Sequence, residues 1–150
     1  MTGHIVPDAG KITIDGKQIS YEICRNTIMY LEQKAHIFLE NFINNATIFG
    51  SYSDIKSLDN VLPAQKVIQL LECDDCSMLS GGEQQLVSMA RGLASERNIW
   101  ILDEPFSALD KELEMELCKK IVKMKDKTII MVTHNESREF LSMFDVVLEI

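Results

Sequence analysis

The stretch Asn98-Ile99-Trp100-Ile101-Leu102-Asp103-Glu104-Pro105 decides how this chain folds. Its apolar residues do not alternate with polar ones, which is the pattern of a strand covered on both faces, as in a parallel sheet. Thr128-Ile129-Ile130-Met131-Val132 repeats the pattern, and the same two-faced burial is expected there. Between the two runs, Leu113, Leu117, Ile121 and Met124 recur at helical spacing, and Met115, Cys118 and Val122 widen the stripe into a core-facing helix. Strand, helix and strand then form a right-handed crossover unit. A short helix over 136–144 and a last strand, Val146-Val147-Leu148, are expected to repeat it.

Upstream, Lys11-Ile12-Thr13-Ile14 alternates, meets the turn pair Asp15-Gly16 and resumes toward Ile19, which reads as an antiparallel hairpin at an edge. Thr27-Ile28-Met29-Tyr30-Leu31 is a short apolar run closing near Gln33, as expected of a buried strand that delivers a side chain to a site. From Glu40 to Leu71 the pattern turns helical and loop-rich, with Phe38, Phe42, Ile43, Ile48 and Phe49 as apolar anchors and Pro63 near a helix start. The expected fold is therefore α/β, one unit over 1–150, with a helical subdomain over about 38–95.

The 150 residues, 46% hydrophobic and 25% charged, suffice for one domain with a real core. A net charge of -8 leaves no basic field for a nucleic-acid backbone or an anionic membrane surface. No apolar run is long enough to cross a bilayer, and the opening MTGHIVPDAG lacks the charge and apolar pattern of a signal peptide, so a cytosolic location is expected. Four cysteines, Cys24, Cys73, Cys76 and Cys118, are too irregular for a disulfide framework. Cys73 and Cys76 have the spacing of half a zinc site, but a structural site needs four donors, and free thiols are expected.

The heptad Leu79-Ser80-Gly81-Gly82-Glu83-Gln84-Gln85 is the most specific feature. Ser80 and Glu83 have the spacing of a capping box, and Leu86, Met89, Ala90 and Leu93 make the buried stripe of the helix that follows. Two glycines in a first turn cost helix stability, which points to something approaching this backbone closely. A helix start of this kind suits a phosphate, although an ordinary capped helix after a Gly-Gly loop would look the same in isolation. Asp103 and Glu104 end a strand where open α/β sheets bind ligands. Asp103 suits Mg²⁺ and Glu104 suits a base acting on water, against the plainer reading of two acidic residues capping a strand. His134 follows the next strand, where a solvated loop residue is the ordinary alternative.

Taken together these residues resemble the nucleotide-binding domain of the ATP-binding-cassette (ABC) family. Leu79-Ser80-Gly81-Gly82-Glu83 is similar to the ABC signature, Ile99-Trp100-Ile101-Leu102-Asp103-Glu104 to the Walker B strand with its catalytic glutamate, and Ser107-Ala108-Leu109-Asp110 to the D-loop. His134 resembles the switch histidine and Gln33 the Q-loop glutamine. The resemblance spans Gln33 to His134 in the family's order. It implies a partial P-loop NTPase fold, ATP and Mg²⁺ as ligands, and a head-to-tail pair of domains that traps ATP between the phosphate loop of one and the signature of the other. Ser80, Gly81, Gly82 and Glu83 would then face the γ-phosphate held by the partner. Asp103 and Gln33 would serve Mg²⁺ and the attacking water, Glu104 would be the base, His134 would hold the γ-phosphate, and Asp110 would communicate across the pair. Leu86 departs from the basic residue common after the signature.

The family's phosphate loop, G-x-x-x-x-G-K-S/T, has no match here: Gly10-Lys11 is followed by Ile12, and no glycine precedes it at the required distance. In the family, a segment like Ile5-Val6-Pro7-Asp8-Ala9-Gly10-Lys11-Ile12 follows the phosphate-loop helix, and the close at Ile150 looks early. The expectation is weak nucleotide binding and marginal stability for this chain alone. The resemblance implies an ATPase subunit, or a fragment of one, docked by a transmembrane partner at the inner face of the cell membrane. Phe38 to Gly50 is similar to the exporter segment where coupling helices dock, which favours export. Leu79 stands 46 positions after Gln33, too near for the coiled-coil insertion of chromosome-maintenance relatives. The alternatives are a soluble non-transport ABC ATPase and a silent module that lends its signature to a partner.

Overall fold

A computed structural model describes residues 9–52, 55 and 58–149, so Ile5 to Asp8 lie outside the described residues. The elements are β1 (Thr13–Ile14), β2 (Lys17–Gln18), α1 (Tyr21–Thr27), β3 (Ile28–Leu31), α2 (Phe42–Thr47), α3 (Leu58–Val61), α4 (Ala64–Leu71), α5 (Gly81–Ala94), β4 (Ile99–Asp103), α6 (Lys111–Ile121), β5 (Thr128–Val132) and α7 (Arg138–Leu141), with a 3₁₀ turn over Cys76–Met78. β1 and β2 form the expected antiparallel hairpin. Asp15 and Gly16 both turn through positive φ, 49° and 75°, as a two-residue hairpin turn requires.

The main sheet is parallel, in the order β3-β4-β5. Its register pairs Leu31 with Leu102 and Leu102 with Met131, so the three carboxyl ends finish level. β4 is the middle strand, and Trp100 and Leu102 are completely buried. The Trp100 indole N–H, which cannot be left unpaired there, donates to the Arg97 carbonyl at 2.9 Å. On one face Met29, Leu31, Trp100 and Leu102 join the main core with α5 and α6; on the other, Ile101 packs with Ile28 and Cys24 of α1.

Two sequence expectations fail at the end of the sheet. β5 is not buried on both faces. Ile129 and Met131 pack on the core, whereas Ile130 and Val132 are 37% and 48% exposed. The reason is position: β4 has a neighbour on each side, but β5 is the outer strand of the described sheet, and α1 covers only the β3 and β4 side of that face. Val146-Val147-Leu148 is in no strand, and its residues are 73%, 47% and 80% exposed. A three-residue apolar run does not by itself specify pairing. The helix expected over 136–144 shortens to α7, capped by the Ser137 hydroxyl, with Phe140 fully buried as its anchor. α1 carries no periodic signal in the sequence; it starts where Ser20 caps the Ile23 N–H.

The middle of the chain is short helices around α5. Pro63 stands at the N-cap of α4, where its missing N–H costs nothing. Phe42 is buried, but Phe49 and Ile43 are not the core anchors the sequence suggests. Ile48 ends α2 in the left-handed region, φ 50°, and throws Phe49 outward onto the Phe38 ring, 5.3 Å away. Asn45 replaces them as the organising residue. Its fully buried amide donates to the carbonyls of Phe38, Glu40 and Asn41 and accepts from the Phe38 N–H at 2.9 Å. Arg91 of α5 completes this clamp, donating to the carbonyls of Asn45 and His36, each at 2.8 Å, with its guanidinium 5.3 Å from the Phe38 ring centre. Burial pulls the Arg91 pKa below its ordinary value, and the hydrogen bonds keep the charge tolerable. Asn45→Ala is expected to cost about 2–4 kcal/mol in denaturant unfolding, since it leaves several buried groups unpaired. Asn44→Ala, which loses one bond to Glu40 at 3.0 Å, should cost under about 1 kcal/mol.

Candidate functional site

Level strand ends bring three loop side chains to one place. Gln33 lies two positions beyond β3, Glu104 one beyond β4 and His134 two beyond β5. The Gln33 amide donates to Glu104 Oε2 at 2.8 Å, and His134 Nε2 lies 2.9 Å from Glu104 Oε1. Glu104 is thus held at both oxygens. Its backbone N–H continues the ladder to the Val132 carbonyl at 2.9 Å, and its φ of 44° turns the chain out of the sheet there. A left-handed glutamate is uncommon and costs on the order of 1 kcal/mol, a strain typical of functional turns. The His134 side chain is largely in solvent, while that of Glu104 is mostly covered, 21% exposed.

Asp103 is the last residue of β4. The Tyr30 hydroxyl donates to Asp103 Oδ2 at 3.2 Å. Partial burial, then the charge and bond of Asp103, hold the Tyr30 phenol above its ordinary pKa, so it stays a donor. Among the described residues the other Asp103 oxygen makes no hydrogen bond. Tyr30 was not foreseen as a site residue; the signal was a hydroxyl-bearing side chain inside an otherwise aliphatic run, three positions before Gln33.

A second group forms at the start of α5. The capping box read from the sequence is present: Ser80 Oγ accepts from the Glu83 N–H at 3.4 Å, and Glu83 Oε2 accepts from the Ser80 N–H at 3.0 Å and from its hydroxyl at 2.6 Å. The Ser80 hydroxyl and then its backbone N–H hold the Glu83 carboxyl below its ordinary pKa. The close approach foretold by the two glycines comes from this chain's own loop: a Cβ on Gly82 would stand 2.7 Å from the Ala108 carbonyl oxygen, and one on Gly81 3.7 Å from the Ala108 methyl. Asp110, at the end of that loop, caps α6 by accepting from the Leu113 N–H at 2.9 Å. Lys66, Ser80, Gly82, Glu83 and Asp110 share one cleft, with Ala108 and Leu109 in its wall.

The structure therefore sorts the sequence-derived residues into two groups. Gln33 and His134 each touch Glu104, one at either carboxylate oxygen, and Asp103 precedes it at the end of β4. Ser80, Gly81, Gly82, Glu83 and Asp110 gather elsewhere. A neighbouring cleft lined by Glu104, Ser107, Lys111, Glu114, His134 and Asn135 is separate from the first, and Leu109 lines both. Gln85 was also missed. It stands four positions before Met89 on the buried stripe of α5, and a polar residue on an apolar face was the signal. The Cys73–Cys76 pair holds free thiols; burial, with Cys73 alongside, pushes the Cys76 thiol up to about 12.

A parallel sheet with acidic, amide and imidazole groups on its carboxyl edge, beside a capped Gly-Gly helix start, defines an α/β domain of the P-loop NTPase fold. The profile of the ABC transporter family matches residues 1–107, and the chain belongs to that family. It is 33% identical over 143 residues to the trimethylamine N-oxide transport system ATP-binding protein TmoW of Pelagibacter ubique, covering 85% of this chain and 42% of that protein. It is 32% identical over 143 residues to the methionine import ATP-binding protein MetN of Legionella pneumophila, again with 85% and 42% covered. Among solved structures it resembles a bacterial Atm1-family ABC exporter with ATP bound, with a TM-score of 0.77 and 24% identity, over 89% of this chain and 26% of the exporter. The chain spans less than half of these relatives. Importers and exporters stand alike among them. Among the described residues no helix is long and apolar enough to cross a membrane.

Gly82→Ala is expected to destabilise the chain by about 1–3 kcal/mol, because the new methyl meets a backbone carbonyl. Gly81→Ala, with ordinary contact distances, should cost under about 0.5 kcal/mol; thermal unfolding compares the two. The capping box also sets an acid limit. Because the Glu83 pKa is lowered on folding, its stabilisation is fully present above the unfolded glutamate value and is lost as pH falls through the lowered one. Amide exchange in the first turn of α5 should quicken over that acid range, and Glu83→Gln should flatten the dependence.

Proposed function

We propose that the chain forms part of an ATP-hydrolysing subunit of an ABC transporter, with Glu104 as the base that prepares water for attack on the γ-phosphate. The observation that carries this reading is the clamp on Glu104: a carboxylate at the end of a buried strand, gripped by Gln33 and His134, each from a loop after an adjacent strand. A base held this way acts through position rather than through reactivity of its own. His134, with its ring largely in solvent and one nitrogen on Glu104, can turn toward a phosphate oxygen without moving β5. The donor set also fits a hard cation. Asp103 offers a carboxylate oxygen, and Gln33 has its carbonyl oxygen left once its N–H group has gone to Glu104. Mg²⁺ held there would neutralise charge on the β- and γ-phosphates.

The capped start of α5 suits the phosphate of a nucleotide bound to a second ATPase domain, in a head-to-tail pair. Its support is the separation of the Ser80 cleft from the Glu104 cleft: one chain presents both halves of such a site without joining them. The proposed location follows, at the inner face of the membrane through transmembrane partners. Export is the direction we favour, on the likeness of residues 38–50 to exporters and the exposure of Leu39 and Phe49 there. ATP turnover with Mg²⁺, measured for the protein together with any phosphate loop encoded ahead of it, tests the assignment. Glu104→Gln should lower kcat about a hundredfold or more while nucleotide binding persists. Unchanged turnover in that variant would remove Glu104 from the chemistry.

A further inference from the structure

Gln85 is 3% exposed, on a helix face otherwise made of Leu86, Met89 and Leu93. A buried amide is costly unless both its ends are paired. Both are paired, and both to the same loop across 22 and 23 positions of sequence: Nε2 donates to Ser107 Oγ at 3.0 Å, and Oε1 accepts from the Ala108 N–H at 3.1 Å. One turn earlier, Gly82 admits the Ala108 carbonyl to within 2.7 Å of where a Cβ would stand. The peptide units around Ala108 are therefore gripped by α5 from two levels. The loop's own bonds are local: Ser107 N–H to the Glu104 carbonyl at 3.2 Å and Leu109 N–H to the Phe106 carbonyl at 2.9 Å. They shape it but do not hold it against the helix.

We infer that Gln85 is a positioning residue that ties the loop from Glu104 to Asp110 to the start of α5. This inference rests on the ATPase reading above. The loop starts at the strained Glu104 and ends at Asp110, which shares a cleft with Ser80. Through Gln85, displacement of the helix start pulls on the backbone at 107–108 and hence on both ends of the loop. A phosphate contact at Ser80 is thereby felt at Glu104, although the two lie in separate clefts.

The test compares Gln85→Met, which keeps length and burial but makes neither bond, with Gln85→Glu, which keeps an acceptor for the Ala108 N–H and lets the Ser107 hydroxyl donate. Gln85→Met should speed amide exchange at Ala108 by about tenfold while Met89 and Ala90 stay protected. In ATP turnover it should lower kcat by about tenfold with KM within about twofold, because Gln85 is buried and lines neither cleft. Gln85→Glu should restore most of both. If α5 itself loses protection in Gln85→Met, Ser107→Ala replaces it, removing one bond from the loop side, with about a threefold effect expected on the same two readouts. Wild-type exchange at Ala108 together with wild-type kcat in the bond-breaking variant overturns the inference. So does failure of Gln85→Glu to restore kcat in a protected fold. Should the unaltered protein show no ATP turnover, the ATPase reading falls, while exchange at Ala108 still decides whether Gln85 holds the loop.

Discussion

Parallel pairing of β4 with a neighbour on each side is the constraint on which the rest depends. A parallel ladder cannot be closed by a tight turn, so each connection must leave the sheet and return over a helix. α6 makes that return between β4 and β5, burying Leu117, Cys118 and Ile121. The same pairing makes all three strands end on one edge, and the register leaves them level to within a residue. Polar side chains placed just beyond Leu31, Asp103 and Val132 have no apolar layer left to occupy and meet each other instead. The proximity of Gln33, Glu104 and His134 is therefore a property of the sheet before it is a property of the site.

That proximity sets a conflict at Glu104. The sheet draws its N–H toward the Val132 carbonyl, while the loop that follows must cross back toward α5, and the left-handed φ of 44° reconciles the two. Strain of this size is sustained only where the surroundings fix the chain on both sides. Here β4 fixes one side. Phe106, 5% exposed, together with the grip of Gln85 and the cap that Asp110 places on α6, fixes the other. Glycine at 104 would relieve the backbone and remove the carboxylate, so the residue type and the conformation point to the same role.

Much of this was legible because the signals are local. Ser80 and Glu83 are three positions apart, and a capping box needs no tertiary information. The Trp100 run is apolar on both faces because β4 is internal, and the Leu113-to-Ile121 stripe has helical period because one side of α6 is buried. β5 shows where the same reading fails: Ile130 and Val132 carry the composition of an internal strand, yet exposure depends on what lies beside the strand, which composition does not encode. Val146-Val147-Leu148 is the same error at shorter length. Phe49 misled for a different reason, since an apolar residue just past a helix end goes wherever the cap sends it. The pairings Tyr30–Asp103 and Gln85–Ser107 join residues 73 and 22 positions apart, and no local rule reaches that far.

The unforeseen contacts have a common character. Asn45, Gln85 and Arg91 all face α5 or arise from it, and all carry polar groups into places where apolar side chains would pack more cheaply. An apolar contact tolerates sliding, whereas a paired amide or guanidinium does so only by breaking bonds in a medium that penalises the loss. Arg91 and Asn45 fix the segment after Gln33 to α5; Gln85 fixes the segment after Glu104 to it. Two of the three loops that meet at the strand ends are thus indexed to one helix, and that helix begins at Ser80-Gly81-Gly82. The third loop, bearing His134, has no comparable tie to α5 among the described residues. The contact of His134 with Glu104, together with the bond from the Glu104 N–H to the Val132 carbonyl, is therefore the link between β5 with its loop and the two loops fixed to the helix start.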